Sequence, residues 1–104
     1  RWSLNYSNSV ETEINNVTNY NLSQNYPNPF NPVTKISYSL PKATNVTLKI
    51  YDMLGKEVTT LVSEKQEIGI YNIEFNASNL SSGIYYYKLE TEEFSQVKKM
   101  IVLK

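Results

Sequence analysis

The sequence has no cysteine and no histidine, and Asp52 is its only aspartate. The missing cysteines exclude disulfides and thiolate chemistry, and the missing histidines remove the commonest general base and a usual zinc ligand. A single aspartate also argues against a calcium loop built from several aspartates. We therefore predict a protein that is not an enzyme, has no metal site and no cofactor, and acts on no small-molecule substrate.

An excess of charge of one sign is also missing, because ten basic residues balance ten acidic residues and the formal net charge is zero. A neutral chain lacks the positive surface that attracts proteins to phosphate backbones, so no nucleic-acid partner is expected. The longest apolar run covers residues 100–103, whereas a helix that spans a bilayer needs about 20 apolar residues. No charged and then apolar signal peptide opens the chain, so an export signal would lie upstream of Arg1 unless the domain is itself the signal.

The residues that are abundant favour strands and turns. The chain has nine tyrosines and thirteen asparagines, many threonines, valines and isoleucines, and three glycines. Apolar and polar side chains alternate, so that Ile36, Tyr38 and Leu40 share one face, opposite Lys35 and Ser37. The predicted strands cover residues 34–40, 46–51, 57–62, 71–75, 84–90 and 96–103, and the third has the imperfect alternation of a β-bulge.

These elements recur about every 10–15 residues with turn residues between them, a spacing typical of antiparallel sandwiches. No segment of helical length has the period of a helix. We therefore predict an all-β, immunoglobulin-like antiparallel sandwich of about seven strands in two sheets.

Residues 1–20 differ in character from the rest of the chain. They are rich in asparagine, serine and threonine without a hydrophobic period, which favours a linker or the tail of a preceding domain. An extra edge strand at residues 11–18 is the alternative. We place the folded domain at residues 21–104. Residues 25–32 contain three of the four prolines, which favours an edge or a crossing between sheets, and Phe30 can close the open end of the sandwich.

Three blocks of sequence have the order and spacing of a known domain family. They are YPNPFNPVTKISYSLP at residues 26–41, VTLKIYDMLGKEV at residues 46–58, and LSSGIYYYKL at residues 80–89, followed by KKMIVLK at residues 98–104. Together they resemble the type A C-terminal sorting domain of the bacterial type IX secretion system, over residues 22–104. The motif residues to which we assign a structural role are Pro27, Asn28, Pro29, Phe30, Asn31, Pro32, Asp52, Gly55, Leu80, Gly83 and Tyr85.

The resemblance implies a function in protein export. Such domains end large secreted proteins and are recognised by the outer-membrane translocon and its shuttle protein, after which a surface sortase removes the domain and joins the cargo to a lipopolysaccharide. The expected partners are therefore the translocon, the shuttle protein, the sortase and the upstream cargo domain of the same chain. The protein is expected to be exported, to cross the periplasm in transit, and to reach the cell surface or the extracellular space.

The last predicted strand is the expected recognition site. Residues 95–104 contain three lysines and no acidic residue, which gives a local charge of +3 before the terminal carboxylate. An exposed edge strand can be bound by strand addition, although edge lysines also serve to prevent aggregation. The spacing alone leaves both interpretations open, and the resemblance favours recognition by Lys98, Lys99, Met100, Ile101, Val102, Leu103 and Lys104.

Two other functions are compatible with the sequence. A carbohydrate-binding module would need coplanar exposed aromatic rings, but the alternation turns most aromatic side chains inward and leaves Tyr51 and Tyr86 available. A passive immunoglobulin-like module of a surface protein would need no binding site.

Overall fold

The computed structural model describes residues 17–104, which form seven strands and no helix. In chain order the strands are β1 (Asn21–Leu22), β2 (Val33–Leu40), β3 (Thr44–Tyr51), β4 (Glu57–Gln66), β5 (Gly69–Asn76), β6 (Gly83–Glu90) and β7 (Ser95–Val102). This part of the chain accordingly contains no helix that is long and apolar enough to cross a membrane. The prediction of an all-β domain with about seven strands is confirmed.

The strands form two antiparallel sheets, with the orders β1-β2-β5 and β4-β3-β6-β7. The neighbours β2 and β5, like β3 and β6, are not consecutive in the chain. The chain therefore crosses between the sheets in the Greek-key manner of immunoglobulin-like domains, and the predicted sandwich is confirmed. β4 and β7 are the two edge strands of the four-stranded sheet.

Alternation along the strands builds the core between the sheets. In β2, Ile36, Tyr38 and Leu40 are at most 1% exposed, while Lys35 faces solvent. The period of two in the sequence therefore predicted the inward face of β2 correctly, and the same holds for β3 and β6. Further buried residues are Val46, Leu48, Ile50, Phe75, Tyr85, Tyr87, Leu89, Met100 and Val102.

Two of the buried tyrosines bring hydroxyl groups into the core, and each hydroxyl has a partner. Tyr38 donates to Oε1 of Gln66, and Tyr87 donates to the carbonyl oxygen of Ser23 at 2.6 Å. Burial raises the pKa of Tyr38 and of Tyr87 to about 12, because a phenolate would lose its hydration there. Both side chains are therefore neutral at physiological pH.

The turn before β6 has a feature of immunoglobulin-like sandwiches. The hydroxyl of Tyr85 donates to the carbonyl oxygen of Ser81, four residues upstream, at 2.9 Å. This bond is a tyrosine corner, which ties the start of the strand to the preceding turn. Gly83, the first residue of β6, has a φ of 155°, and Leu80 in the turn packs against the core.

β4 is longer than the sequence indicated. The predicted strand ended at residue 62, whereas β4 continues to Gln66, which lies opposite Thr44 of β3. Residues 63–66 are polar and mostly exposed, so no alternation of apolar side chains reveals them. The register between β3 and β4 shifts after Leu48 and again after Ile50, which confirms the predicted irregularity.

The linker predicted at residues 1–20 and the alternative strand at residues 11–18 lie mostly outside the described residues. Among those that are described, core contacts start at Tyr20. Its ring stacks on Phe94 with 5.1 Å between the ring centroids and 12° between the planes. The first strand follows directly, at residue 21.

Candidate recognition surface

The predicted recognition residues lie on β7 and directly after it. β7 pairs with β6 along its whole length, from Val102 opposite Gly83 to Ser95 opposite Glu90. Its other side is an edge of the four-stranded sheet. β7 therefore directs one row of backbone groups away from β6, toward whatever lies beside the sheet.

The side chains of β7 alternate between the core and the outer face of the sheet. Met100 and Val102 are 0% and 1% exposed. Both side chains are packed in the core of the folded domain, so Met100 and Val102 present only their backbone at the edge of the sheet, and their predicted part in recognition stays a prediction. The accessible side chains of this region include Lys99, which is exposed, Ile101, which is partly exposed, and Leu103, which is 60% exposed.

The lysines of the C-terminal region have different environments. Lys98 points to the same side of the sheet as the core residues, lies opposite Tyr87 and is partly exposed. Neither Lys98 nor Lys99 forms an ion pair within residues 17–104. Lys104, by contrast, donates from Nζ to the carbonyl oxygen of Ser78 at 2.7 Å. Lys98 and Lys99 are thus consecutive residues of β7 that point to opposite faces, and neither has an ion-pair partner among residues 17–104.

The proline-containing segment at residues 24–30 packs against the outer edge of β7. The backbone N of Phe30 donates to the carbonyl oxygen of Ile101, and its carbonyl oxygen accepts from the backbone N of Leu103, both at 3.0 Å. The Phe30 ring is 2% exposed and meets Phe75 edge to face, with 6.2 Å between the ring centroids. Phe30 is therefore packed in the core and also covers part of the edge of β7.

Two side chains of the same segment bond the backbone of β7. Nε2 of Gln24 donates to the carbonyl oxygen of Lys99 at 2.7 Å, and Oδ1 of Asn28 accepts from the backbone N of Ile101 at 2.9 Å. Together with Phe30, these side chains pair the outward backbone groups from the carbonyl of Lys99 onward. Hydrogen bonds thus join the proline-containing segment near the start of the domain to β7 at its end.

A buried polar network holds this segment in its conformation. Asn25 is 2% exposed, and its Nδ2 donates to the carbonyl oxygen of Pro27 at 3.1 Å and to Oγ1 of Thr34 at 3.0 Å. Its Oδ1 accepts from Nε2 of Gln24 at 2.7 Å. Because a buried amide is costly unless it is hydrogen-bonded, these contacts fix the path of the segment. The sequence analysis missed Asn25, since one asparagine among thirteen gives no signal of burial.

The other residues of the proline motif face solvent. Pro27, Pro29, Asn31 and Pro32 are exposed, and the peptide bonds before the three prolines are cis. Tyr26 is 81% exposed, which the sequence analysis also missed because this residue lies outside any alternating strand. The motif therefore combines one buried side chain, that of Phe30, with exposed side chains on both sides of it in the sequence.

The remaining motif residues shape the turn after β3. Oδ1 of Asp52 accepts from the backbone N of Leu54 and from the backbone N of Lys56, both at 2.9 Å. Gly55 has a φ of 87°, in the left-handed region where a side chain is disfavoured. Asp52 and Gly55 thus act within the turn that joins β3 to β4.

One further concave feature lies between the edge strands β4 and β5. This groove has a volume of about 420 Å³ and is lined by apolar residues such as Val58 and Leu61 and by polar residues, of which one, Glu74, is a carboxylate. No second titratable group lines it, so it lacks the pair of groups that acid–base catalysis commonly uses. Within residues 17–104 no cluster of three or more acidic residues could hold a metal ion.

The family of secretion system C-terminal sorting domains matches residues 24–103 of the chain. The matched region contains β2–β7 and the segment that packs against β7. Comparisons with curated proteins and with solved structures gave no significant match. The family match covers most of the sequence and confirms the resemblance found there. The chain therefore belongs to the family of secretion system C-terminal sorting domains.

Proposed function

We propose that this domain directs an upstream cargo protein through the type IX secretion system and is recognised as a folded unit at the accessible part of β7. The family match over residues 24–103 carries the proposal, since it covers both the proline motif and β7. Membership of the family makes the domain a C-terminal sorting signal for type IX secretion. The protein that carries it is accordingly secreted to the cell surface or the extracellular space.

The proposed partners are the outer-membrane translocon, the shuttle protein and the surface sortase, together with the cargo domain upstream in the same chain. In this route the protein crosses the periplasm, the translocon and shuttle bind the domain, and the sortase separates it from the cargo and attaches the cargo to the surface. Residues 1–20 would then serve as the linker, and residues 21–104 as the signal.

Within this route we assign the domain the part of a substrate. Sorting-signal domains are generally non-catalytic. A chain without cysteine and histidine also lacks the thiolate nucleophile and the imidazole base that many acyl transfers use. The catalytic groups for cleavage and attachment are therefore assigned to the sortase.

We assign recognition to four accessible side chains of the C-terminal region, namely Lys98, Lys99, Ile101 and Leu103. The two lysines have no counter-charge within residues 17–104, so they are available to an acidic surface. Charge complementarity accelerates the encounter of two proteins and sets their register. Met100 and Val102 support this surface from the core.

Replacing both Lys98 and Lys99 with glutamine tests the assignment. The change keeps the side-chain length and removes two charges, and such exposed substitutions usually alter stability by less than about 0.5 kcal/mol. We expect a fluorescent cargo fused to this folded variant to remain in the periplasm of a type IX-competent host. The matched control replaces Lys35 and Lys65, exposed lysines on β2 and β4, and should be delivered to the surface.

Normal delivery of the Lys98→Gln, Lys99→Gln cargo would show that the machinery does not read these lysines. Equal retention of the control would show that net charge, and not the position of the lysines, decides delivery. Deletion of residues 100–104 is a poorer test, because it removes Met100 and Val102 from the core and confounds recognition with unfolding.

A further inference from the structure

The outer edge of β7 is only partly covered by the segment at residues 24–30. In an antiparallel ladder both backbone groups of a residue point to the same side, and successive residues alternate. The carbonyl of Lys99, both groups of Ile101 and the N–H of Leu103 point outward, and all are bonded to that segment. The N–H and carbonyl of Val97 and the N–H of Lys99 point the same way, and within residues 17–104 nothing pairs with them. We call residues 95–99 the open edge.

The open edge has one positive charge on each face, and an apolar side chain, Val97, lies on the same face as Lys99. Val97 is 53% exposed, and Lys99 is exposed on the same face. Lys98 is partly exposed on the opposite face. A strand laid along the open edge would therefore meet one lysine on each of its two sides.

The two other long edge strands have a different charge. β4 carries Glu57 and Glu64 against one lysine, Lys65, and β5 carries Glu74 as its only charged residue. Like charges on directly opposed strands are destabilising, and opposite charges are stabilising. An acidic strand is thus favoured at the open edge and disfavoured at the edges of β4 and β5.

We propose that the open edge binds an extended, acidic segment of a partner protein, which adds to the four-stranded sheet as a fifth strand. The backbone groups of Val97 and Lys99 supply the hydrogen bonds, and acidic side chains of the partner lie beside Lys98 and Lys99. Gln24 already occupies the carbonyl oxygen of Lys99, so the pairing ends there and the added strand is short. The inference rests on the proposed sorting function, which supplies a partner, but it concerns binding alone.

A peptide titration tests the inference on the full 104-residue chain. The probe is a capped hexapeptide with the sequence Thr-Thr-Glu-Glu-Thr-Thr, whose two adjacent glutamates point to opposite faces of an extended strand, and it is added to isotopically labelled protein. We expect weak, saturable shifts of the amide resonances of Val97 and Lys99, together with slower hydrogen exchange of both amides. A peptide with N-methyl groups on its edge-facing amides has the same charge but cannot complete the ladder, and it should not slow exchange.

Two protein variants separate backbone pairing from charge. Val97→Pro removes an outward N–H without touching the bonds to β6 and should abolish binding, whereas Val97→Thr keeps the N–H and should bind. Lys98→Glu combined with Lys99→Glu should weaken binding of the acidic peptide by roughly tenfold and favour a threonine–lysine peptide. If Val97→Pro fails to fold, the variant with both lysines replaced by glutamate tests the proposal in its place.

Absence of saturable changes at Val97 and Lys99, or equal effects of the N-methylated peptide, would overturn the inference. The outcome for sorting is separate. A chain that delivers cargo but binds no acidic strand refutes strand addition alone, whereas a chain that binds the peptide but delivers no cargo refutes the sorting function.

Discussion

Leu89 lies in the middle of the core, and its replacement by alanine tests the packing that positions β6 and β7. It is 0% exposed and lies opposite Leu48 of β3. The change removes three carbon atoms, which at about 0.8 kcal/mol each amounts to roughly 2.4 kcal/mol of lost burial. The cavity left behind raises the expected loss of unfolding free energy to about 3–5 kcal/mol. For a domain of this size the melting temperature should fall by at least about 12 °C.

Thermal unfolding followed by circular dichroism measures this shift, and Tyr86→Ala on the same strand is the matched control. Tyr86 is partly exposed on the outer face, where it lies opposite Tyr51. A cross-strand pair of this kind contributes about 0.2–1 kcal/mol, so the control should lower the melting temperature less than half as much. Equal shifts for the two variants would refute the faces assigned to β6.

Two further predictions concern the proline motif and the buried tyrosines. Asn28→Ala removes the acceptor of the Ile101 N–H and should lower the free energy of unfolding, measured in urea, by about 0.5–1.5 kcal/mol. The control Asn31→Ala in the same motif should lower it by less than about 0.5 kcal/mol. Equal losses for the two variants would contradict the role of Asn28 at the edge of β7. Alkaline pH should destabilise the domain. Tyr38 and Tyr87 have pKa values of about 12 in the folded domain, whereas tyrosine in an unfolded chain has a pKa of about 10. The stabilisation that is present below about pH 10 is therefore lost as the pH rises toward 12. Urea midpoints across this interval measure the loss, Tyr87→Phe should reduce it, and a midpoint that stays constant would contradict the burial of these hydroxyl groups.

The sequence predicted those strands in which apolar and polar residues alternate without interruption. In β2, Ile36, Tyr38 and Leu40 are buried and Lys35 is exposed, as the period of two requires. In β7 the same reasoning fails, because residues 100–103 are all apolar. Only the pairing with β6 decides that Met100 is buried while Ile101 lies on the outer face.

The relation between the proline motif and β7 could not be predicted from the sequence. The bonds from Gln24 to Lys99 and from Asn28 to Ile101 join residues that lie 75 and 73 positions apart. A contact over such a distance leaves no period and no local motif. The sequence therefore indicated recognition by the whole C-terminal run, whereas the structure shows part of that run buried and part of its edge covered.

Surface delivery of a cargo by the full chain is the most direct test of whether this domain is a type IX sorting signal. A fluorescent protein with a periplasmic export signal is fused upstream of the 104-residue chain. It is expressed in a type IX-competent host and in an isogenic strain without the outer-membrane translocon, with the unfused fluorescent protein as the control. We expect fluorescence at the cell surface or in the medium only for the fusion in the competent host. Periplasmic retention of the fusion in both strains, or its delivery without the translocon, would contradict the sorting function.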